Sequence, residues 1–111
     1  MDIDSAIKTL SALAQNGRLA VFRLLVRSGA DGLAAGEIAR TLDVPHNTLS
    51  TQLNILANAG LVRSRRAGRS IIYTVELETM RGLLTFLMED CCQGNPQVCA
   101  RLMETLRPDC L

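Results

Sequence analysis

Three of the four cysteines in this chain fall between positions 91 and 99, in Cys91-Cys92-Gln93-Gly94-Asn95-Pro96-Gln97-Val98-Cys99; the fourth is Cys110. Thiolates are soft ligands that select soft or thiophilic ions. Adjacent side chains do not share a direction on a regular helix or strand. Cys91 and Cys92 can therefore face one ion only where the backbone turns, and Gly94 and Pro96 supply turn chemistry. Cys99, beyond that turn, can close back on them. Three thiolates without a fourth ligand suit a trigonal pyramidal ion carrying a lone pair, As(III) or Sb(III). The same residues admit other chemistries. Zn(II) prefers four closed Cys or His ligands; Cys110 is the available fourth, since the sole histidine, His46, belongs to a different element. A cysteine pair can also oxidise, as in redox or sulfur-species sensing, and buried thiols can be inert small apolar residues.

A second cluster is cationic. Arg63, Arg65, Arg66 and Arg69 sit together in a chain whose formal net charge is only +1. A local field of that kind attracts phosphate even on a near-neutral protein, although a solvated turn is the plainer reading of the same run. The cluster follows Val44-Pro45-His46-Asn47-Thr48-Leu49-Ser50-Thr51-Gln52-Leu53-Asn54-Ile55-Leu56. Here Leu49, Leu53, Ile55 and Leu56 fall close to one helical stripe. Thr48, Ser50, Thr51, Gln52 and Asn54 fill the other side with hydrogen-bonding groups. Gly60 stands where the helix should stop. Leu61–Arg66 and Arg69–Val75 then flank the turn signal Ala67-Gly68 as a hairpin. A helix with a small polar face beside a basic hairpin suits reading a DNA groove and holding the adjacent phosphates.

The flanking segments must position that unit. Ile3–Gln15 places Ile3, Ile7, Leu10, Leu13 and Ala14 on one stripe, with Asp4 and Ser5 as candidate caps. Asn16-Gly17 breaks the pattern, and Arg18–Ser28 is apolar enough for a central core helix. Ser28–Gly32 reads as a loop, Leu33–Thr41 as a short third helix, and Asp43-Val44-Pro45 as the turn into the reader. Pro is compatible with the first turn of that helix. Leu77–Asp90 is a further amphipathic helix ending near the cysteines, and Gln97–Leu106 one more helical stretch. The chain is thus expected to be mainly α with a small β-hairpin: one winged helix-turn-helix domain over 1–111 with a C-terminal cysteine-rich sensor segment. The two end helices carry more apolar surface than one unit can cover. A two-fold homodimer built from both is the expected solution, on an inverted-repeat operator with half-sites about 34 Å apart or a multiple of it.

Composition narrows the function. Aromatics make up 3% of the chain and Trp is absent, which disfavours extensive stacking on single-stranded nucleic acid. No nucleophile–base arrangement and no phosphate-cradling glycine loop is visible, so an enzyme is not expected, nor an organic cofactor. The sequence shows neither a basic-plus-apolar leader nor an apolar run long enough to span a bilayer, so a cytoplasmic protein without a membrane partner, its cysteines reduced, is expected.

The chain resembles the ArsR/SmtB-type metalloregulatory repressors. The resemblance rests on Leu10-Ser11-Ala12-Leu13 with Arg18-Leu19 and Leu24-Leu25, on Ile38-Ala39 and Leu42, on Thr48–Leu53 with Leu56 and Ala59-Gly60-Leu61-Val62, and on Gly68-Arg69 with Tyr73. The ending, Cys91-Cys92 with Gly94, Pro96 and Cys99, is similar to an arsenic-responsive subgroup. The chain departs from the family twice: Gly36–Asp43 lacks the Cys-x-Cys pair that many arsenic sensors place before the reader, and the last helix lacks the histidine of zinc sensors. The resemblance implies a homodimeric repressor that occupies its operator when ligand-free, leaves when As(III) binds, and controls genes for arsenite efflux or modification. Sb(III) or a methylated arsenical, which needs only two thiolates, is an equivalent inducer on this chemistry. The expected ligands are Cys91, Cys92 and Cys99. The expected DNA contacts are Ser50, Thr51 and Gln52 at base edges or nearby backbone, Asn47 and Thr48 at phosphate, and Arg65, Arg66 and Arg69 from the wing. The alternatives are a thiol-based redox or sulfur-species sensor and a structural zinc-binding interaction module.

Overall fold

The computed structural model describes residues 1–94, with side chains through residue 88. The first helix, α1 (Ile3–Leu13), is capped by Asp2, whose carboxylate accepts from Ser5 N at 2.8 Å. That bond holds the Asp2 carboxyl below its ordinary range. The cap is therefore Asp2 and not Asp4 or Ser5. Its short residues Ala6, Thr9 and Ala12 turn inward, while Ile3, Ile7 and Leu10 stay exposed. α2 (Asn16–Ser28) begins two residues before the expected start, because the Gln15 side chain accepts from Arg18 N and caps it. It runs through the centre of the core on Val21, Phe22 and Leu25. A single 3₁₀ turn over Gly29–Asp31 follows.

Leu33–Ala34 is a strand, β1, and not the start of the third helix, which is α3 (Ala35–Leu42). α4 (His46–Asn58) and the strands β2 (Val62–Ala67) and β3 (Ser70–Val75) complete the reader and wing. β3 is the middle strand of a three-stranded antiparallel sheet in the order β1-β3-β2. Leu33 pairs with Tyr73 and Ala34 with Ile72, while Val62 pairs with Val75 and Ala67 with Ser70. The hairpin turn is thus Gly68-Arg69, one residue later than the sequence suggests. β1 ties the start of α3 to the root of the wing, so the helix pair and the hairpin share one sheet.

The core joins Ala12, Val21, Phe22, Leu25, Ile38, Leu49, Leu53, Leu56, Leu61 and Val62, with Tyr73 and Val75 packed on it. Between α3 and α4 the chain reverses at Asp43, a left-handed residue with φ 54°, and Val44 N donates to Ala39 O at 3.1 Å. Asp tolerates that conformation better than most side chains. The mainly helical winged helix-turn-helix expected from the sequence is the observed architecture.

α5 (Leu77–Gly94) is longer than expected and carries positions 91 and 92 in its last turn. The backbone turn expected at Cys91-Cys92 is not found there; the first helix breakers in the sequence are Gly94 and Pro96. Cys99, Cys110 and the stretch 97–106 lie outside the described residues. Among the described residues no helix is long and apolar enough to cross a membrane.

Candidate nucleic-acid interface

α4 has two unlike faces. Leu49, Leu53 and Leu56 are buried against the core. Asn47, Ser50, Thr51, Asn54 and Asn58 are exposed and follow one another at three- and four-residue steps, which puts them on one outward stripe. Thr48 is exposed at its flank. Asn47 is partly occupied, since its Oδ1 accepts from Thr48 N at 2.9 Å. Thr51 Oγ1 donates back to Asn47 O at 3.2 Å, leaving its lone pairs for an outside donor. Among the described residues Ser50 and Asn54 have no side-chain hydrogen bond.

Gln52 departs from the expectation. It is 9% exposed and points into the fold, away from that stripe. Its position lies one turn from Leu49 and Leu56 along the helix, so helical phase carries it inward despite its polarity. Gln52 is therefore not an outward contact in this structure. Asn54 is the amide that the outward stripe does present, and it was missing from the expected contacts. Its i+4 relation to Ser50 was the signal for it.

The arginines of the wing also divide. Alternation along β2 sets Arg63 and Arg65 on one face, and Ser64 and Arg66 on the other with the core residue Val62. Arg63 pairs with Glu76 at 3.5 Å in an exposed salt bridge. Arg65 Nη2 donates to the Asp31 carbonyl at 3.1 Å and so ties the wing to the 3₁₀ turn. Among the described residues no hydrogen bond or ion pair engages the side chains of Arg66 or Arg69. Arg66 projects from the sheet face that continues the core on which α4 packs, and Arg69 occupies the turn at the tip. These two cations are poised for an external anion. Arg65 is already occupied, although it remains exposed.

Among the described side chains no three His, Cys, Asp or Glu groups come together in a metal-binding arrangement. His46 opens α4, exposed and without an acidic or nucleophilic partner among the described residues. What the arrangement can do is present hydrogen-bonding groups and cations along one edge.

Comparison with known proteins agrees with that geometry. Residues 10–65 match the family described as "Helix-turn-helix domain", a span that covers α2, α3, α4 and most of the first wing strand. The transcriptional activator HlyU of Vibrio cholerae is 28% identical over 90 residues, 81% of each chain. The HTH-type transcriptional regulator NmtR of Mycobacterium tuberculosis is 40% identical over 67 residues, 60% of this chain and 53% of that one. Among solved structures, the homodimeric winged helix-turn-helix DNA-binding domain of a possible ArsR-family regulator from Mycobacterium bovis superposes with a TM-score of 0.65 at 25% identity, over 82% of both chains. These relatives are transcriptional regulators and not enzymes. The chain accordingly belongs to the helix-turn-helix domain family, with a winged helix-turn-helix fold.

Proposed function

We propose that the protein is a homodimeric repressor, bound to an inverted-repeat operator when ligand-free and released by trivalent arsenic held at its C-terminal cysteines. The observation that carries the reading is the composition of α5. One helix bears exposed Leu84 and Leu87, which suit a partner protomer, and the positions of Cys91 and Cys92 in its last turn. A ligand that draws those positions together with Cys99 acts on the end of a helix shared by the dimer.

On the DNA side, Ser50, Thr51 and Asn54 meet base edges. Asn pairs bidentately with adenine, whereas Ser and Thr are less selective. Asn47 and Thr48 at the helix start, with Arg66 and Arg69 of the wing, hold phosphates. Arg65 holds the wing in place and adds its charge to the same field. On the ligand side, three thiols fit As(III) once the last turn of α5 opens, since Cys91 and Cys92 cannot both face one ion from a regular helix, with Sb(III) of the same geometry and a methylated arsenical taking two of the three. Binding converts thiols to thiolates and releases protons. For release to follow, the ligand must favour the unbound state, by about 1–3 kcal/mol in typical allosteric proteins.

The test is an arsenite titration of the parent and of Cys91→Ser, Cys92→Ser and Cys99→Ser, read by release from a labelled fragment of upstream DNA. The parent should release, and Cys92→Ser should stay bound at arsenite levels that empty the parent. Equal release of all four proteins would remove the cysteine site. Thiol-state mass spectrometry after mild oxidant, together with a zinc assay on protein purified in reducing buffer, distinguishes redox and structural-zinc roles. A reporter gene gives the sign of regulation, which the activator HlyU makes worth measuring.

A further inference from the structure

The corner between α1 and α2 is tied off by its own side chains. Gln15 Oε1 accepts from Arg18 N at 2.8 Å, which starts α2. The Arg18 guanidinium reaches back over the end of α1, with Nε donating to Ala12 O at 2.6 Å and Nη2 to Ser11 O at 3.3 Å. The last carbonyls of α1 are thus held by the first turn of α2. Into this corner α4 inserts Gln52. The residue it meets is Gly17, where a Cβ would collide with Gln52 Nε2 and come 3.1 Å from its Cδ and 3.2 Å from Gln15 Oε1. An alanine there would have to push the Gln52 amide, the far end of a flexible side chain, out of its seat.

Gln52 is an odd choice for packing alone. Its Oε1 is buried without a hydrogen-bond partner among the described residues. An unpaired buried acceptor is destabilising, and an apolar side chain of similar length would avoid that cost. The corner has a second property. α1 packs on α2, α4 and α5, yet leaves Ile3, Ile7 and Leu10 exposed on its far side. The helix suited to meet a second protomer therefore touches the helix suited to enter the groove, and Gln52 of the latter meets the corner that joins α1 to α2.

We propose that Gln52, seated against Gly17 at the corner that Arg18 ties to α1, is a positioning joint that fixes the reader helix to that corner and thereby sets the separation of the two reader helices in the dimer. This rests on the DNA-binding homodimer reading above. Two-fold symmetry applies any rotation at the joint to both reader helices, so a small local change alters the half-site spacing the dimer can span.

The parent protein is first used to select an inverted repeat from a random duplex library. Binding is then measured by fluorescence anisotropy on that duplex, on duplexes one base pair longer or shorter at the centre, and on an isolated half-site. Gly17→Ala should lower affinity for the selected spacing by about tenfold, the scale of one mismatched base pair. It should shift the preferred spacing, while half-site affinity and the sedimentation of the dimer stay as in the parent. Gln52→Ala removes the same contact, so adding it to Gly17→Ala should cost little more than either substitution alone, a non-additivity that a double-mutant cycle reads directly. Equal weakening on half-site and full site, or full additivity of the two substitutions, overturns the joint. Should Gly17→Ala fail to fold, Gln52→Ala alone decides: the parent's spacing preference should flatten, and an unchanged preference overturns the proposal. A parent that binds neither the half-site nor any selected duplex overturns the DNA-binding reading itself, and the joint with it.

Discussion

At the scale of single residues, the interface is a division of labour among side chains of the same type. Of the four wing arginines, Arg63 and Arg65 have partners within the chain and Arg66 and Arg69 have none among the described residues. Exposed ion pairs are worth little, so Arg63 is held only loosely by Glu76. The difference should appear in the salt dependence of operator binding. Each phosphate contact releases condensed counterions, so Arg66→Ala and Arg69→Ala should each weaken binding on every sequence and reduce the slope of log K against log salt by about 1. Arg65→Ala should move the slope less than either, because its main link is to the Asp31 carbonyl. Asn54→Ala behaves differently again: if Asn54 reads a base edge, its loss should relax the preference at one base pair by about 1–3 kcal/mol while leaving the slope alone. Anisotropy titrations over a series of salt concentrations separate the three behaviours.

At the scale of elements, the sequence exposes whatever has a period and hides whatever is set by one partner. α4 and the hairpin are legible because Leu49, Leu53 and Leu56 repeat at helical spacing and Val62 and Val75 bracket a glycine turn. β1 is not legible, since two residues cannot show a period; Leu33-Ala34 becomes a strand only because β3 offers it an open edge. The orientation of Gln52 is hidden for a related reason. Its polarity argues for water, and only the glycine facing it from α2 makes room for an inward amide. The extent of α5 is hidden by the cysteines themselves, which carry no helix-stop signal before Gly94. Gly32 is the clearest case of a residue fixed by one partner. It precedes β1 with φ +71° and ψ −169°, a region open essentially to glycine alone. A Cβ there would collide with the Tyr73 carbonyl and lie 2.6 Å from Thr74 Cγ2. Gly32→Ala should therefore unseat β1 and destabilise the fold by about 1–3 kcal/mol or more. Urea denaturation should show a lower midpoint with an unchanged m-value.

At the scale of the whole molecule, the protomer is well packed inside and incomplete outside. Its interior is closed by Leu25, Ile38 and Leu56, each fully buried, yet α1 and α5 together expose Ile3 at 64%, Ile7 at 56%, Leu84 at 42% and Leu87 at 46%. These side chains lie on two helices that pack on each other. Single exposed apolar residues are ordinary on a monomer, but several large ones on two adjoining helices suit an interaction surface. The occupant proposed above is a second copy of this chain; the Mycobacterium bovis domain is homodimeric. Full burial of such a side chain is worth about 1.5–3 kcal/mol, and two-fold symmetry enters each substitution twice. Ile7→Lys places a charge in that surface without touching the core, because Ile7 is exposed in the protomer. The variant should keep its circular dichroism spectrum and sediment as a monomer. It should bind an inverted-repeat duplex ~100-fold more weakly, the loss expected when two linked contacts become independent, while its affinity for an isolated half-site stays near that of the parent. A variant that remains dimeric would place the protomer contact elsewhere on the molecule and would separate α1 from the control of half-site spacing.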